Sequence, residues 1–293
     1  MSGATLSAVI CTHNRPADLR RSLDAFAILE DPVEVIVVDS ASSPSCRELV
    51  ETYASSIPRL EYIREEAPGL GRARNRGLEA AGGGIVAFVD DDAAPHADWA
   101  RRIVEPFDDP SVGCVGGACV AFFPDCDRPR WLSDRLLQFA GITRFETARE
   151  AQSSAEWPFG ANIAFRRDAL EAAGCFPEHL GRTGTSLLSG EESAAIEALR
   201  NAGWRVVLHP DAAVDHAVPG SRCVSRYYWQ RLWWTGITRA RMEGKRGRTL
   251  ARLLAAAPVR FCLYAVTWDR VHLYRLAETA GFVRDLATAR WSR

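Results

Sequence analysis

The apolar run 85–89, which is followed at once by Asp90, Asp91 and Asp92, constrains the fold of this chain more than any other stretch. Three glycines at 82–84 precede it and mark a turn. Five consecutive apolar residues lack the alternation of a strand with one solvated face, so they predict a central strand of a parallel sheet covered on both faces. Because open α/β sheets bind ligands beyond the carboxyl ends of their strands, the three carboxylates are expected at a binding edge.

The three adjacent carboxylates have two interpretations. Like charges this close repel one another unless a cation or hydrogen-bond donors compensate them. Mg²⁺ is usually held by one or two carboxylates together with the phosphates of its substrate, so the triplet indicates a site for a metal–diphosphate complex. An acidic turn that caps the following helix is the alternative.

Strand and helix patterns alternate through the first hundred residues, which predicts a parallel sheet with helices on both faces. The patterns loosen at 124–154, where charged and turn residues predict a loop. The predicted strands are 7–12, 33–38, 60–63, 85–89, 112–122, 161–165 and 205–208. The predicted helices are one opened by Pro16 and those at 45–55, 70–81 and 191–201.

The charge of the chain is unevenly distributed. The formal net charge is −1 over 293 residues, but the sequence from Ala217 onward holds fifteen Lys and Arg against four Asp and Glu. This asymmetry predicts an anionic partner for the basic part: a phosphate-bearing substrate, a membrane surface or the acidic half of the chain. The aromatic and basic segment 226–234 suits either a membrane interface or helices packed on the rest of the protein. Since no nucleic-acid-binding module is recognised and the first part is acidic, nucleic acid is not predicted as a partner.

The cysteines and the apolar runs bear on the compartment. Eight cysteines contain no CxxC pair, which favours free thiols in a reducing compartment. No signal peptide is predicted. The longest apolar stretch near the C-terminus is interrupted by Thr267, Asp269 and Arg270, so no transmembrane span is predicted either. The expected location is cytoplasmic.

Two further segments fall at predicted strand ends or helix starts. Asp39 follows the second strand directly, where a carboxylate can accept hydrogen bonds from a ribose or a base, or can form an Asx turn. The first turn, 12–16, lacks the GxGxxG pattern, which disfavours a nicotinamide cofactor. Residues 69–77 combine glycines with three arginines at a helix start, which suits a diphosphate or, alternatively, a solvated arginine face.

Taken together, these segments resemble the family-2 glycosyltransferases of GT-A fold. The resemblance covers about residues 6–217 and rests on VICTHNRP, VIVVDSAS, GLGRARNRGLEAAGGGIVAFVDDDA, FGANIAFRRDAL, the Gly-Glu-Glu before a helix, and PDAAVDH. It implies an α/β fold of GT-A type, with a Rossmann-like, mostly parallel central sheet flanked by helices. It also implies a catalytic domain at 1–217, with a nucleotide-sugar half to about 122 and an acceptor half at 123–217. A basic, aromatic helical extension would follow at 218–293.

The resemblance implies a ligand set and a donor. Nucleotide-sugar contacts are expected from residues at strand ends and at the arginine-rich helix start: Thr12, Asp39, Arg74, Asp90 and Asp91. Asp92 would be the metal ligand of the DxD motif, and His216 either a further ligand of Mg²⁺ or Mn²⁺ or a structural histidine. The donor would be a nucleoside diphosphate sugar, in the first place a UDP-sugar. A polysaccharide precursor, a lipid-linked glycan and a small-molecule glycoside are the candidate acceptors; peripheral membrane contact and oligomerisation stay open.

The candidate catalytic base departs from the pattern of the family. The family carries a Glu-Asp pair at a helix start, where this chain has Glu191 and Glu192. Glu192, in the Asp position, would take the proton of an attacking hydroxyl and give inversion at the sugar. The alternative is a capping box, in which Glu192 bonds back to the amide of Ser189.

Two other classes of function stay open at this point. One is a nucleotidyltransferase on a related sheet, and the other is a nucleotide-sugar-binding protein without catalysis. The loop at 124–154, with Trp131 and Phe145, is expected to shape the acceptor site or to act as a lid.

Overall fold

The computed structural model describes residues 6–184, 186–242 and 246–289. Within them the strands are β1 Leu6–Thr12, β2 Glu34–Ser40, β3 Leu60–Glu65, β4 Ile85–Asp90, β5 Ala93–Pro95, β6 Val112–Phe122, β7 Arg149–Glu150, β8 Asn162–Arg166 and β9 Arg205–Ala217. The α-helices are α1 Pro16–Phe26, α2 Arg47–Glu51, α3 Leu70–Ala80, α4 Trp99–Val104, α5 Asp134–Leu137, α6 Arg167–Ala172, α7 Glu191–Asn201, α8 Ser225–Met242, α9 Arg246–Thr267 and α10 Arg270–Ala289.

The strands form one sheet in the order β3-β2-β1-β4-β8-β6-β9-β5, with β7 beside β9. The pairs β1/β2, β1/β4, β2/β3 and β6/β9 are parallel. By contrast, β8 is antiparallel to both of its neighbours, and β5 and β7 are antiparallel to β9. The predicted class, a mostly parallel α/β sheet flanked by helices and followed by C-terminal helices, is confirmed.

The uninterrupted apolar strands bury both faces of the sheet. In β4 the side chains of residues 85–89 are all buried, and successive residues join different clusters because strand side chains alternate between faces. Leu19, Leu23 and Phe26 of α1 close one cluster, and Ala73 and Leu78 of α3 close the other. Fully burying an aliphatic or aromatic side chain stabilises the fold by roughly 1.5–3 kcal/mol, so the two clusters fix the strand ends on which the site depends.

Strand register brings the predicted acidic residues to one edge. In the parallel pairs, Thr12 lies opposite Asp39 and Cys11 lies opposite Asp90. Helix α3 packs closely against this part of the sheet, since a Cβ at Gly77 would lie 2.2 Å from a methyl of Val9. The carboxyl ends of β1, β2 and β4 are therefore adjacent.

The chain divides into two compact units. Unit 1 comprises 1–122, 142–179 and 191–217, and unit 2 comprises 123–141, 180–190 and 218–293. Within unit 2, α8 and α10 approach at two glycines. A Cβ at Gly236 would lie 2.0 Å from the carbonyl oxygen of Glu278, and one at Gly281 would lie 2.0 Å from that of Trp233.

Segments that were predicted as loop or short strand carry more structure than expected. Residues 124–154 contain α5, a 3₁₀ turn at Gln138–Ala140 and β7. Trp131 packs on Tyr228 within unit 2, with ring centroids 5.7 Å apart, whereas Phe145 packs against the core of unit 1. Strand β9 runs to Ala217 instead of ending at Leu208, because its second half pairs with β6 and with β5.

The C-terminal helices differ from the sequence expectation in two respects. The aromatic segment 226–234 belongs to α8, where Tyr228 is fully buried and stacks on Tyr274. Residues 249–267 of α9 are long and apolar enough to cross a membrane, by length and composition alone, with a mean hydropathy of 1.4. The sequence argument against a span does not apply to this window, because the helix ends at Thr267, before the charges of Asp269 and Arg270. All eight cysteines are free thiols.

Candidate active site

Asp90, Asp92 and His216 form a cluster at the carboxyl edge of the sheet, called the strand-end cluster below. One ligand atom from each lies within 4.8 Å of the others, and Asp92 and His216 are buried. His216 Nε2 lies 3.0 Å from Asp92 Oδ1. The antiparallel pairing of β5 and β9, which sets His216 opposite Ala93, brings the histidine to the triplet. Two carboxylates and an imidazole are a donor set that Mn²⁺ and related divalent ions accept.

The middle carboxylate of the triplet bonds to different partners. Asp91 Oδ1 accepts a hydrogen bond of 2.6 Å from Arg15, and Oδ2 accepts one of 2.8 Å from the Thr12 hydroxyl. Burial, helped by Asp92 and opposed by Arg15, raises the pKa of Asp91 to about 7. Arg15 also donates to Asp92 Oδ2 at 2.8 Å. Sequence reasoning missed Arg15, although its place directly before the helix-opening Pro16 puts it at the strand end.

Asp39 is fully buried, and both of its oxygens accept hydrogen bonds from the protein. Oδ1 accepts from the Ser42 amide at 3.0 Å, and Oδ2 from the Cys46 amide and the Tyr62 hydroxyl, each at 2.8 Å. Arg64 lies 3.2 Å from Oδ2. Burial alone would raise the pKa of Asp39, but the hydrogen bonds outweigh it and the pKa is lowered. This carboxylate therefore holds the loop that leads into α2.

Arg74 contacts both Asp90 of the strand-end cluster and the glutamates at the start of α7. The side chain is buried in unit 1, and its Nη1 donates to Glu191 Oε1 at 2.7 Å and lies 3.8 Å from Glu192 Oε2. Its Nη2 donates to the Gly160 carbonyl at 3.1 Å and lies 3.5 Å from Asp90 Oδ1. A Cβ at Gly160 would lie 2.1 Å from Nη2, so only glycine leaves room for the guanidinium. Sequence reasoning missed Gly160.

The two glutamates at the start of α7 differ in burial. Glu191 is 2% exposed, and burial together with the neighbouring Glu192 raises its pKa to about 8 against the opposing charge of Arg74. The Glu192 side chain is 14% exposed. Burial would lower the pKa of Arg74, but the surrounding carboxylates raise it, so the guanidinium stays charged. Of the pair, Glu192 is the more exposed side chain, although its Oε2 is buried without a hydrogen-bond partner among the described residues.

The capping-box interpretation of Glu192 was wrong. Helix α7 begins at Glu191, directly after Gly190 with φ 108°, so Ser189 does not occupy the capping position. The Ser189 amide instead donates to the Thr238 hydroxyl at 3.2 Å. A local pattern could not reveal this bond because Thr238 lies far along the chain.

Asn162 supports the sheet beneath these groups. Its Nδ2 donates to the carbonyls of Ala118 and Ala212 at 3.0 and 2.8 Å, and its Oδ1 accepts from Trp99 Nε1 at 2.9 Å. The buried amide thus links β8 to β6 and β9. A Cβ at Gly117 would lie 2.2 Å from Nδ2, which shows how little space surrounds it.

Two solved structures share this fold across nearly the whole chain. The mannosyltransferase PcManGT from Pyrobaculum calidifontis, in complex with GDP-Man and Mn²⁺, superposes with a TM-score of 0.66 at 23% identity, covering 96% of this chain and 88% of that one. S. aureus TarS 1–349 in complex with UDP-GlcNAc gives a TM-score of 0.57 at 16% identity, covering 99% and 92%. The architecture of the chain is the GT-A fold.

Sequence comparison extends the likeness. The succinoglycan biosynthesis protein ExoM of Rhizobium meliloti is 28% identical over 265 residues, which are 87% of this chain and 82% of that protein. The glucosyl-dolichyl phosphate glucuronosyltransferase of Haloferax volcanii is 23% identical over 81% of this chain and 77% of its own length. The profile described as glycosyl transferase family 2 matches residues 7–174, more than half of the sequence. The chain belongs to glycosyl transferase family 2.

Proposed function

We propose that this protein transfers a hexose from a nucleoside diphosphate sugar to an acceptor hydroxyl, with a divalent cation and with inversion at the anomeric carbon. One observation carries the proposal. The strand-end cluster and the Glu191–Glu192 pair are connected through a single buried side chain, since Arg74 lies 3.5 Å from Asp90 and 2.7 Å from Glu191. Asp90 and the start of the helix that carries the candidate base are thus linked through one buried guanidinium.

Asp92 and His216, with Asp90 beside them, would hold the divalent cation. Their ligand atoms lie within 4.8 Å of one another, and carboxylate oxygens with an imidazole nitrogen fit Mn²⁺ or Mg²⁺. When bound, such an ion neutralises the negative charge that develops on the departing diphosphate. His216 Nδ1 is buried without a hydrogen-bond partner among the described residues, so the ring orientation depends on the contact between Nε2 and Asp92.

Glu192 would act as the base. It accepts the proton of the acceptor hydroxyl while that oxygen bonds to the anomeric carbon and the bond from this carbon to the diphosphate oxygen breaks. Attack opposite to the leaving group inverts the configuration. Arg74 and the buried Glu191 would position this carboxylate: Glu191 holds the guanidinium, and its raised pKa favours a neutral neighbour for Glu192 at neutral pH.

The donor nucleotide would lie across the carboxyl ends of β1, β2 and β4. Thr12 and Asp39 are register partners there, and Asp90 is opposite Cys11. Because Asp39 and Asp91 are already hydrogen-bonded to the protein, their part would be to shape the nucleoside end of the site. A UDP-sugar is the donor to test first.

The acceptor would be a polysaccharide precursor or a lipid-linked glycan, with a small-molecule glycoside as the alternative. Support comes from two of the relatives, a succinoglycan biosynthesis protein and a glucosyl-dolichyl phosphate glucuronosyltransferase. We place the enzyme in the cytoplasm at the inner face of the membrane, with 1–217 as the catalytic domain and 218–293 as an extension.

Product analysis tests the proposal. The purified chain is incubated with UDP-glucose, UDP-N-acetylglucosamine or GDP-mannose and Mn²⁺, and the nucleotide products are separated by chromatography. Release of the nucleoside diphosphate that EDTA abolishes supports the transferase. A parallel incubation with UTP or GTP and a sugar 1-phosphate tests the alternative, because a nucleotidyltransferase would release pyrophosphate from the triphosphate. A thermal shift with a nucleotide sugar but no product would indicate a binding protein, because a ligand of the native state raises its apparent stability.

A further inference from the structure

Helix α9 presents an apolar surface that the described residues leave largely uncovered. Only 6% of its window 249–267 is buried, whereas the core helix of a soluble protein is mostly buried. Val259 is 57% exposed, Phe261 61%, Val266 79% and Trp268, just past the helix, 77%. Apolar side chains of this size in a contiguous exposed set mark an interaction surface.

The opposite side of α9 packs on α8 and α10. Leu253 is buried in a small cluster with Ala240 of α8 and Phe282 of α10, and Leu250 packs against it. Arg260 donates to the carbonyl of Arg275 at 3.0 Å. Leu253 and Arg260 therefore hold α9 on α10, whereas Val259, Phe261 and Val266 are exposed.

The three helices lie side by side. Ser225 contacts Tyr274, and Arg241 contacts Asp285, so α8 and α10 run in the same direction. Helix α9 runs the opposite way, because Leu253 meets Phe282 while Arg260 meets Arg275. A membrane span by α9 would place its neighbours at the same depth.

The neighbours of α9 carry charges that argue against such a span. Glu278 is 2% exposed and pairs with Arg239, and Asp285 pairs with Arg241 at 3.2 Å. Ionisable groups at the bilayer centre are expensive and rare. A helix that lies along the surface leaves these ion pairs outside the hydrocarbon.

The surroundings of the open face fit an anionic lipid surface. The sequence from 217 onward has fifteen basic against four acidic residues, and four of the basic ones are concentrated at 245–252, around the start of α9. Tyr264 and Trp268 form a ring pair at the other end, with centroids 6.2 Å apart. Basic residues attract acidic headgroups, and aromatic rings favour the interface.

We propose that α9 lies in the plane of an anionic bilayer surface, with Val259, Phe261, Val266 and Trp268 inserted at the boundary between headgroups and acyl chains. The aromatic segment of α8 is not this surface, since Tyr228 is buried against Tyr274. As a means of reaching a lipid-linked acceptor, this contact rests on the proposed function; as a membrane contact, it is independent of it.

Vesicle binding tests the contact. The full chain is sedimented with vesicles of phosphatidylcholine alone or of phosphatidylcholine and phosphatidylglycerol at about 7:3. We expect binding to the anionic vesicles that weakens with salt and falls at least tenfold in the triple variant Phe261→Ser, Val266→Ser, Trp268→Ser. The matched control is Ile28→Ser, which removes a side chain that is 74% exposed in unit 1 and should bind as the wild type does. Equal binding by the triple variant would overturn the proposal.

Three further measurements separate the remaining explanations. Anionic vesicles should slow maleimide labelling of the exposed Cys262 on α9, with Cys262→Ser to assign the signal. An alkaline carbonate wash should release the protein; retention would indicate a span and overturn the in-plane helix. A wild-type dimer in vesicle-free buffer that the triple variant abolishes would assign the face to a second copy.

Donor turnover, measured without vesicles, is expected to be the same in the triple variant and the wild type. If the wild type showed no donor turnover but still bound vesicles, the proposed function would be refuted and the membrane contact would stand.

Discussion

Two acidic clusters in unit 1 balance their negative charge in different ways. In the helix-start cluster, Glu191 and Glu192 share the guanidinium of Arg74, whose side chain is 4% exposed. In the strand-end cluster, Asp90 and Asp92 meet His216, and the arginine paired with the Asp92 carboxylate is Arg15, whose side chain is 30% exposed. The helix-start cluster is therefore neutralised mainly by a buried permanent cation, which also lies 3.5 Å from Asp90, whereas Asp92 faces an imidazole and a partly exposed arginine.

The two clusters therefore suit different roles: one positions a side chain, and the other binds an ion that can exchange with solvent. Arg74 is enclosed by Gly160 and bonded to Glu191. Removing its side chain would therefore leave a cavity and a buried carboxylate without its cation. At the strand end, a neutral imidazole and carboxylates can accept a cation from solvent. The helix-start cluster is therefore suited to holding a base in place, and the strand-end cluster to a ligand that comes and goes with the substrate.

The largest effect is expected at Asp92. Asp92→Asn should lower the transfer rate by about 10³–10⁴-fold, since a metal contributes several kcal/mol of charge stabilisation and 1.4 kcal/mol is tenfold. It should also abolish the Mn²⁺ dependence of nucleotide binding, measured by calorimetric titration of UDP with and without the ion. A variant that keeps this dependence would disprove the assignment of Asp92 to the metal.

Asp91→Asn is the matched control within the same triplet. Asp91 bonds to Arg15 and Thr12, and its pKa of about 7 means that a neutral side chain there is tolerated near neutral pH. We expect the metal dependence of UDP binding to be the same as in the wild type. Equal loss in both variants would mean that the two carboxylates act as one acidic patch.

The next effect is expected at Glu192. Glu192→Gln keeps the size of the side chain and removes its basicity, so transfer should fall by about 10²–10⁴-fold while donor binding is retained. The measurement is kcat for nucleoside diphosphate release with acceptor, alongside the Kd of the donor. Near-normal kcat would exclude Glu192 as the base and direct attention to Glu191 or to the acceptor itself.

Local patterns in the sequence predicted those parts of the fold that local forces determine. The apolar run of β6 and the helical period of α7 gave the observed bounds, Val112–Phe122 and Glu191–Asn201, because periodicity needs no distant partner. The second half of β9 escaped prediction because its strand conformation comes from pairing with β5 and β6, elements far away in the chain.

The candidate site likewise has one part that local sequence patterns predicted and one part that they did not. Acidic residues at strand ends were predictable as a set, and strand alternation could have shown that Asp90 and Asp92 share a side that Asp91 does not. Their partners were not predictable. Arg74 was expected at the nucleotide, but its guanidinium bonds to Glu191, 117 residues away, and to the Gly160 carbonyl.

A smaller effect is expected from crowding Arg74. Gly160→Ala places a Cβ about 2 Å from Nη2, so the guanidinium must shift away from Glu191. Overpacking of this kind costs about 1–3 kcal/mol in the free energy of unfolding, and we expect kcat to fall by roughly tenfold with the donor KM little changed. Gly220→Ala, whose Cβ would have its nearest contact at 3.7 Å, is the control. Unchanged kcat with lowered stability would limit Arg74 to a structural part.

The smallest effect is expected on the pH dependence of stability. Between about pH 5 and 8 folded Glu191 retains a proton that the unfolded chain has released, because its pKa is raised from 4.5 to about 8. The free energy of unfolding must therefore decrease as the pH rises through this window. Glu191→Gln stays neutral throughout, so its stability should gain on that of the wild type from pH 5 to pH 8, by at most a few kcal/mol. Urea unfolding at pH 5, 6, 7 and 8 measures this difference. Parallel curves would mean that Arg74 keeps Glu191 ionised, and the helix-start cluster would then hold two charged carboxylates around one arginine.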